Sequence, residues 1–213
     1  MKQYCIEKVN SEMLSQDAVW NGIPIAGIDH YAWGGVYQPF AAAQIVRTSD
    51  AFHLRMEALE PYKNMRITKT GASDNICQDS CLEFFLSPSP DSDQRYLNFE
   101  INPAGALLVE IGPDRFHRSS ISKQCLPECT ISPFIRNTDT DSSLVRWGFN
   151  FCIPFSYIQS YFHDFDPSSR QQLRCNFYKC GDSTPVPHYG SWNPIETDTP
   201  DFHRPEFFGQ LIM

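Results

Sequence analysis

Along most of this chain apolar and polar residues alternate with a period of two. The runs Ala41–Thr48, Ala51–Leu59, Leu82–Ser87, Arg95–Asn102, Ala106–Ile111, Thr130–Ile135, Leu144–Ile153, Leu173–Lys179 and Phe208–Met213 are rich in aromatic and β-branched residues. That is the pattern of half-buried strands. Turn-forming residues separate them, at Pro61, Pro88–Asp93, Pro103–Gly105, Gly112–Asp114 and Asn137–Ser143. Many short strands with regular turns predict an all-β protein, a two-sheet antiparallel β-sandwich of the immunoglobulin or jelly-roll kind. One short helix is predicted at Ser156–Phe162, after Pro154, with Ser156 as its cap and Tyr157, Ile158, Tyr161 and Phe162 at helical spacing. Pro185–Pro205 has no period and reads as a long ordered or functional loop, since Tyr189, Trp192 and Phe202 argue against disorder.

Successive side chains point to opposite faces of a strand. In Arg95–Asn102, Leu97, Phe99 and Ile101 form a core face, while Tyr96, Asn98, Glu100 and Asn102 share the other. A row of amides, a carboxylate and a phenol offers fixed donors and acceptors that suit a neutral polyhydroxylated ligand. Similar polar rows occur at Arg174, Asn176 and Tyr178, at Glu83, and at His53, Arg55 and Glu57. Each row alone reads as a solvated or ion-paired sheet face more readily than as a site. Trp147, Phe149, Phe151 and Ile153 read as core, with Val145 beside them. Trp20 and Trp33 fit core or surface. Trp192, in the long loop, fits either packing under the sheet or stacking on the apolar face of a sugar ring.

Composition narrows the class. The 213 residues suit one domain, 1–213, with a sizeable core. Aromatics make up 14%, too many for a disordered chain. A net charge of −8 argues against a nucleic-acid partner. No apolar run approaches the roughly 20 residues of a membrane helix, so no membrane partner is expected. The start MKQYCIEKVN lacks an apolar leader, which predicts a cytoplasmic chain, or an extracellular one if a signal has been removed. Eight cysteines, Cys5, Cys77, Cys81, Cys125, Cys129, Cys152, Cys175 and Cys180, are then expected to be reduced. Cys77/Cys81 and Cys125/Cys129 have separations that zinc sites use. However, Cys77 and Cys81 straddle the start of a predicted strand, where alternation separates them unlike a knuckle loop, so buried thiols are expected.

The segments Asp79–Leu86, Tyr96–Gly105, Trp147–Pro154, Ser191–Pro194 and Phe202–Ile212, in that order, resemble carbohydrate-binding module family nine, over roughly residue 15 to the C-terminus. The resemblance implies a β-sandwich that binds sugars without catalysis, typically at the ends of plant polysaccharides such as xylan or cellulose. It implies work beside a glycoside hydrolase acting on the same substrate, and structural calcium in some members. Glu83 matches a ligand-contacting carboxylate of the family and Trp192 its C-terminal tryptophan. The family's other tryptophan falls where this chain has Cys77, a thiol that offers no stacking face. Trp33, Tyr37 or Tyr178 could substitute. The expected ligand-binding set is therefore Trp192, Glu83, Asn98, Glu100, Asn102, Tyr96, Arg174 and Tyr178, with no catalytic residue.

Two other functions fit the residues less well. A glycoside hydrolase needs two carboxylates flanking a bond, for which Glu83 and Glu100 are the candidates. A haem protein needs axial ligands such as Met and His, and no spacing singles out Met56, Met65 or a histidine.

Overall fold

The structure, a computed structural model, describes every residue except 16, 34, 139, 140, 142, 170 and 171, and the side chains of 15, 126 and 127 also lie outside the description. The predicted turn at Asn137–Ser143 falls partly on those positions. Strands and helices follow as β1 (Gln3–Cys5), β2 (Glu7–Lys8), β3 (Ala26–Gly27), β4 (Phe40–Arg47), β5 (Ala51–Pro61), β6 (Cys81–Ser87), β7 (Tyr96–Ile101), β8 (Leu107–Gly112), β9 (Ser119–Ser120), α1 (Ser122–Glu128), β10 (Thr130–Asn137), β11 (Leu144–Pro154), α2 (Phe155–Gln159), β12 (Gln172–Cys180), β13 (Tyr189–Ser191) and β14 (Gly209–Ile212). Short 3-10 turns, among them Ile76–Gln78 and Pro205–Phe207, complete the chain.

Two sheets form a sandwich. One has the order β1-β14-β12-β6-β7-β8-β9, with β13 also paired to β12; the other has β10-β11-β5-β4-β2, with β3 on β4. All the long pairings are antiparallel, as expected. The two exceptions are β1 with β14 and β2 with β4, both parallel. They arise because one N-terminal segment, running in a single direction, closes an edge of each sheet in turn.

The alternation places the core where the pattern predicts it. Leu82, Phe84, Leu86, Leu97, Phe99, Ile101 and Phe177 face Phe52, Leu54, Met56, Trp147, Phe149 and Phe151 across the sandwich, all buried. Phe84 stacks between Phe177 and Phe99, with ring centroids 5.2 and 6.1 Å away, an offset arrangement that adds to the area buried. Met56 lies wholly inside this core, so it has no opening in which to ligate a haem.

Three local expectations change. Among the described residues there are two α-helices rather than one, since the sequence of α1, SKQCLPE, has too few apolar residues to show a helical period. Helix α2 begins at Phe155, not Ser156, and Pro154 takes the cap position because the Phe155 N–H bonds to Asp50 O at 2.7 Å. The outer face of β6, β7 and β12 is also not solvated. Every residue of β6 and β7 is buried, because the stretch after β13 folds back over that face. Ile195, Phe202 and Phe208 of this stretch pack on Phe85, Tyr96 and Tyr178 as a second, outer apolar cluster.

Candidate functional site

The outer cluster leaves one end of the covered face open. There a pocket of about 150 Å3 is lined by Cys77, Glu83, Glu100, Arg115, Cys180, Asp182, Tyr189 and the segment Pro200 to His203. Its floor comes from strand register. Glu83 on β6 stands directly opposite Glu100 on β7 and, on its other side, opposite Tyr178 on β12. Cys180 and Cys81 are also direct cross-strand partners. Opposed residues on one face have Cβ atoms only about 4.5–5.5 Å apart, so Glu83, Glu100, Cys81 and Cys180 converge on one spot.

The two carboxyls are almost fully buried, Glu83 at 3% and Glu100 at 4% exposure. Burial pushes Glu83 well above the usual carboxyl range, and the neighbouring Glu100 adds to it. Burial, followed by the charge of Glu110, raises Glu100 to about 7. At neutral pH the pair therefore holds a proton, because two adjacent buried carboxylates repel one another. The Cys180 thiol donates to Glu83 Oε1 at 2.9 Å. Asn98 Nδ2 donates to Glu100 Oε1 at 3.2 Å, while Glu100 Oε2 has no hydrogen-bond partner. Arg118, ion-paired with Glu110, reaches the Asn98 carbonyl at 3.5 Å. Aromatic walls stand beside these polar groups. Phe202 stacks on Tyr178 with centroids 4.1 Å apart, and Tyr189 meets Phe202 edge-on at 6.3 Å. Arg115 and Asp201 form an ion pair of 2.8 Å at the rim.

The structure brings Glu83, Glu100 and Asn98 together on neighbouring strands. Tyr178 and Tyr96 lie under the site rather than in it. Both are fully buried; Tyr178 donates to Phe202 O and Tyr96 bonds His203 Nδ1, so they hold the covering segment down. Asn102 braces a turn, accepting from the Ala104 and Ala106 N–H groups and donating to Asp79. Arg174 ties down the C-terminal stretch through Glu206 O and Phe208 O.

Trp192 departs furthest from the expectation. Its indole is in the inter-sheet core, 4% exposed and edge-on to Phe177 at 5.5 Å. Asn176 and Asn193 exchange hydrogen bonds of 3.0 and 2.8 Å, which pins the backbone so that the indole turns inward. The absence of a side chain at Gly209 leaves room for it.

Tyr37 also points elsewhere, to Glu60 in the interior. Trp33 is half-buried, packed at 6.0 Å from Phe202 with its N–H on Thr197 O. The rings that do line the pocket are Tyr189 and Phe202. Both stood in the long loop singled out as functional, but nothing in their spacing tied them to Glu83.

Calcium takes six to eight oxygen ligands, whereas among the described residues the converging metal-binding side chains are Cys81, Glu83 and Cys180.

Comparisons with known proteins agree with this architecture. The sequence profile of carbohydrate-binding family 9 matches residues 12–213. The chain belongs to that family and is a carbohydrate-binding module with a β-sandwich fold. A Bacteroides uniformis protein provisionally assigned to carbohydrate binding is 29% identical, with a TM-score of 0.83 over 99% of this chain and 98% of that one. A family 9 module from Caldicellulosiruptor kristjanssonii, solved with glucose, has a TM-score of 0.62 at 12% identity, covering 99% of this chain and 95% of the other. A family 9 module from the same organism, solved with cellotriose, has a TM-score of 0.61 at 12% identity, covering 99% of this chain and 93% of the other. Among curated proteins none matches the chain.

Proposed function

We propose that the pocket over Glu83 and Glu100 binds the terminal ring of a plant-type oligo- or polysaccharide, such as cellulose or xylan, without cleaving it. The observation that carries this is the pairing of two buried carboxyls with the Tyr189 and Phe202 rings in one small pocket. Polar groups held in place accept and donate to sugar hydroxyls, while a ring covers the apolar C–H face. The volume, about 150 Å3, is below the roughly 300–1,000 Å3 of sites for drug-sized ligands. A pocket of that size suits one ring at a chain end rather than a run of rings along a groove. A glycoside hydrolase acting on the same polymer is the partner this reading implies.

Cleavage is the weaker reading of the same residues. A glycosidase places its two carboxyls on either side of the scissile bond, whereas Glu83 and Glu100 project from adjacent strands on one face and approach a ligand from the same side.

Titration calorimetry with glucose, xylose and cello-, xylo-, manno- and galacto-oligosaccharides tests the reading. Binding that is lost in Glu83→Gln and weakened in Tyr189→Ala supports it. Silence toward all of these sugars in folded protein overturns it. Release of reducing sugar that Glu83→Gln abolishes would replace it with hydrolysis.

A further inference from the structure

The floor of the pocket brings two thiols up to the Glu83 carboxyl, a set of donor atoms that suits a metal ion. Cys81 Sγ, Cys180 Sγ and a Glu83 carboxylate oxygen all lie within 4.8 Å of one another and are buried. Cys81 and Cys180 face each other across the β6–β12 ladder. Cys180 and Glu83 line the pocket, which gives an ion a way in. Glu100, beside them in the same pocket, has a buried carboxyl oxygen with no partner.

We infer that Cys81, Cys180 and Glu83 form a binding site for a borderline-soft divalent cation, zinc being the best fit, with its fourth position facing the pocket. Zinc sits about 2.3 Å from sulfur and about 2.0–2.2 Å from oxygen, in a tetrahedron. Ligand atoms in such a site are less than about 4 Å apart, so the present cluster needs only small side-chain rotations. Two sulfurs exclude calcium and magnesium and favour zinc or its spectroscopic substitute cobalt. The chemistry is a replacement: M2+ enters, and the protons of the two thiols and of Glu83 leave to solvent. Because the ligands must lose protons to bind, uptake tightens as pH rises. The open fourth position would hold water or a sugar hydroxyl.

The proposal rests on these donors and not on the sugar reading. A chain that takes up metal but ignores every sugar upholds this inference while overturning the other. The test is a titration of the reduced protein with cobalt chloride under anaerobic conditions, followed by absorption. Thiolate-to-cobalt charge-transfer and tetrahedral visible bands are expected, and zinc chloride should abolish them. Cys81→Ser and Cys180→Ser should each weaken uptake by more than about tenfold, since even outer partners of metal ligands are worth 10–100-fold. Cys125→Ser and Cys5→Ser should leave it unchanged. Because a serine at a buried position could unfold the sheet, the zinc-loaded native chain is also read by X-ray absorption, with two sulfur and lighter neighbours expected. No cobalt bands, bands that depend on Cys125 instead, or a zinc environment without two sulfurs would each overturn the site.

Discussion

Lys179 Nζ lies 3.1 Å from Glu60 Oε1 in the interior between the two sheets, where neither side chain has any contact with solvent. Both stand at positions that alternation assigns to the core face, Glu60 after Ala58 on β5 and Lys179 after Phe177 on β12. The pair survives there because every atom is occupied. Trp147 Nε1 and Tyr37 Oη donate to Glu60 at 2.7 and 3.2 Å, and Lys179 donates to Cys180 O and His188 Nε2 at 2.9 and 2.6 Å. Removing one partner leaves a buried, uncompensated charge. Lys179→Met is expected to lower stability by about 3–5 kcal/mol, and the double change with Glu60→Gln to recover much of it. Urea unfolding of the two single variants and the double variant measures this. Additive losses would refute the coupling.

A second prediction concerns pH. Glu100 is raised from 4.5 to about 7 by burial and by Glu110. The folded chain therefore keeps a proton that the unfolded chain loses, so the contribution is fully present below about pH 4.5 and is lost as pH rises toward 7. Glu100→Gln removes that loss. The variant should gain on the native chain between pH 4.5 and 7, by on the order of 3 kcal/mol at most. Thermal melts across that range give the difference curve, and a flat curve would contradict the assignment.

Asp79 should behave with the opposite sign. Burial alone would raise it, but the Thr68 and Lys69 N–H groups, the Thr68 hydroxyl and Asn102 all donate to it and hold it below its ordinary value. Its stabilisation is present above about pH 3.8 and is lost as pH falls further. Asp79→Ala strands these donors and should cost about 2–4 kcal/mol. Acid unfolding of the variant and the native chain is the measurement, and the cost should shrink at the lowest pH.

Trp192 and Tyr189 separate folding from binding. Trp192→Ala empties part of the core beside Phe177 and should lower stability by about 3–5 kcal/mol, with the folded fraction still binding sugar. Tyr189→Ala, at the pocket wall, should leave the melting temperature nearly unchanged and weaken sugar binding by about tenfold, or 1.4 kcal/mol. The reverse pattern would place the stacking face on Trp192 and remove the pocket described here.

Period-two alternation by itself located the long strands and sorted their side chains into two faces, because a pleated strand allows no other arrangement. That was enough for the sandwich, for the core from Leu97 to Phe151, and for Glu83, Asn98 and Glu100 as a polar group. It could not say what covers a face. The strands give Trp192 and Tyr189 no phase, so only the Asn176–Asn193 hydrogen bonds and the space at Gly209 decided that one indole turns inward while Tyr189 and Phe202 wall the pocket. Nor could spacing along the chain pair Cys81 with Cys180, nearly a hundred residues apart. Their meeting depends on which strands become neighbours and in what register, and tertiary packing settles that through the burial of the whole core at once.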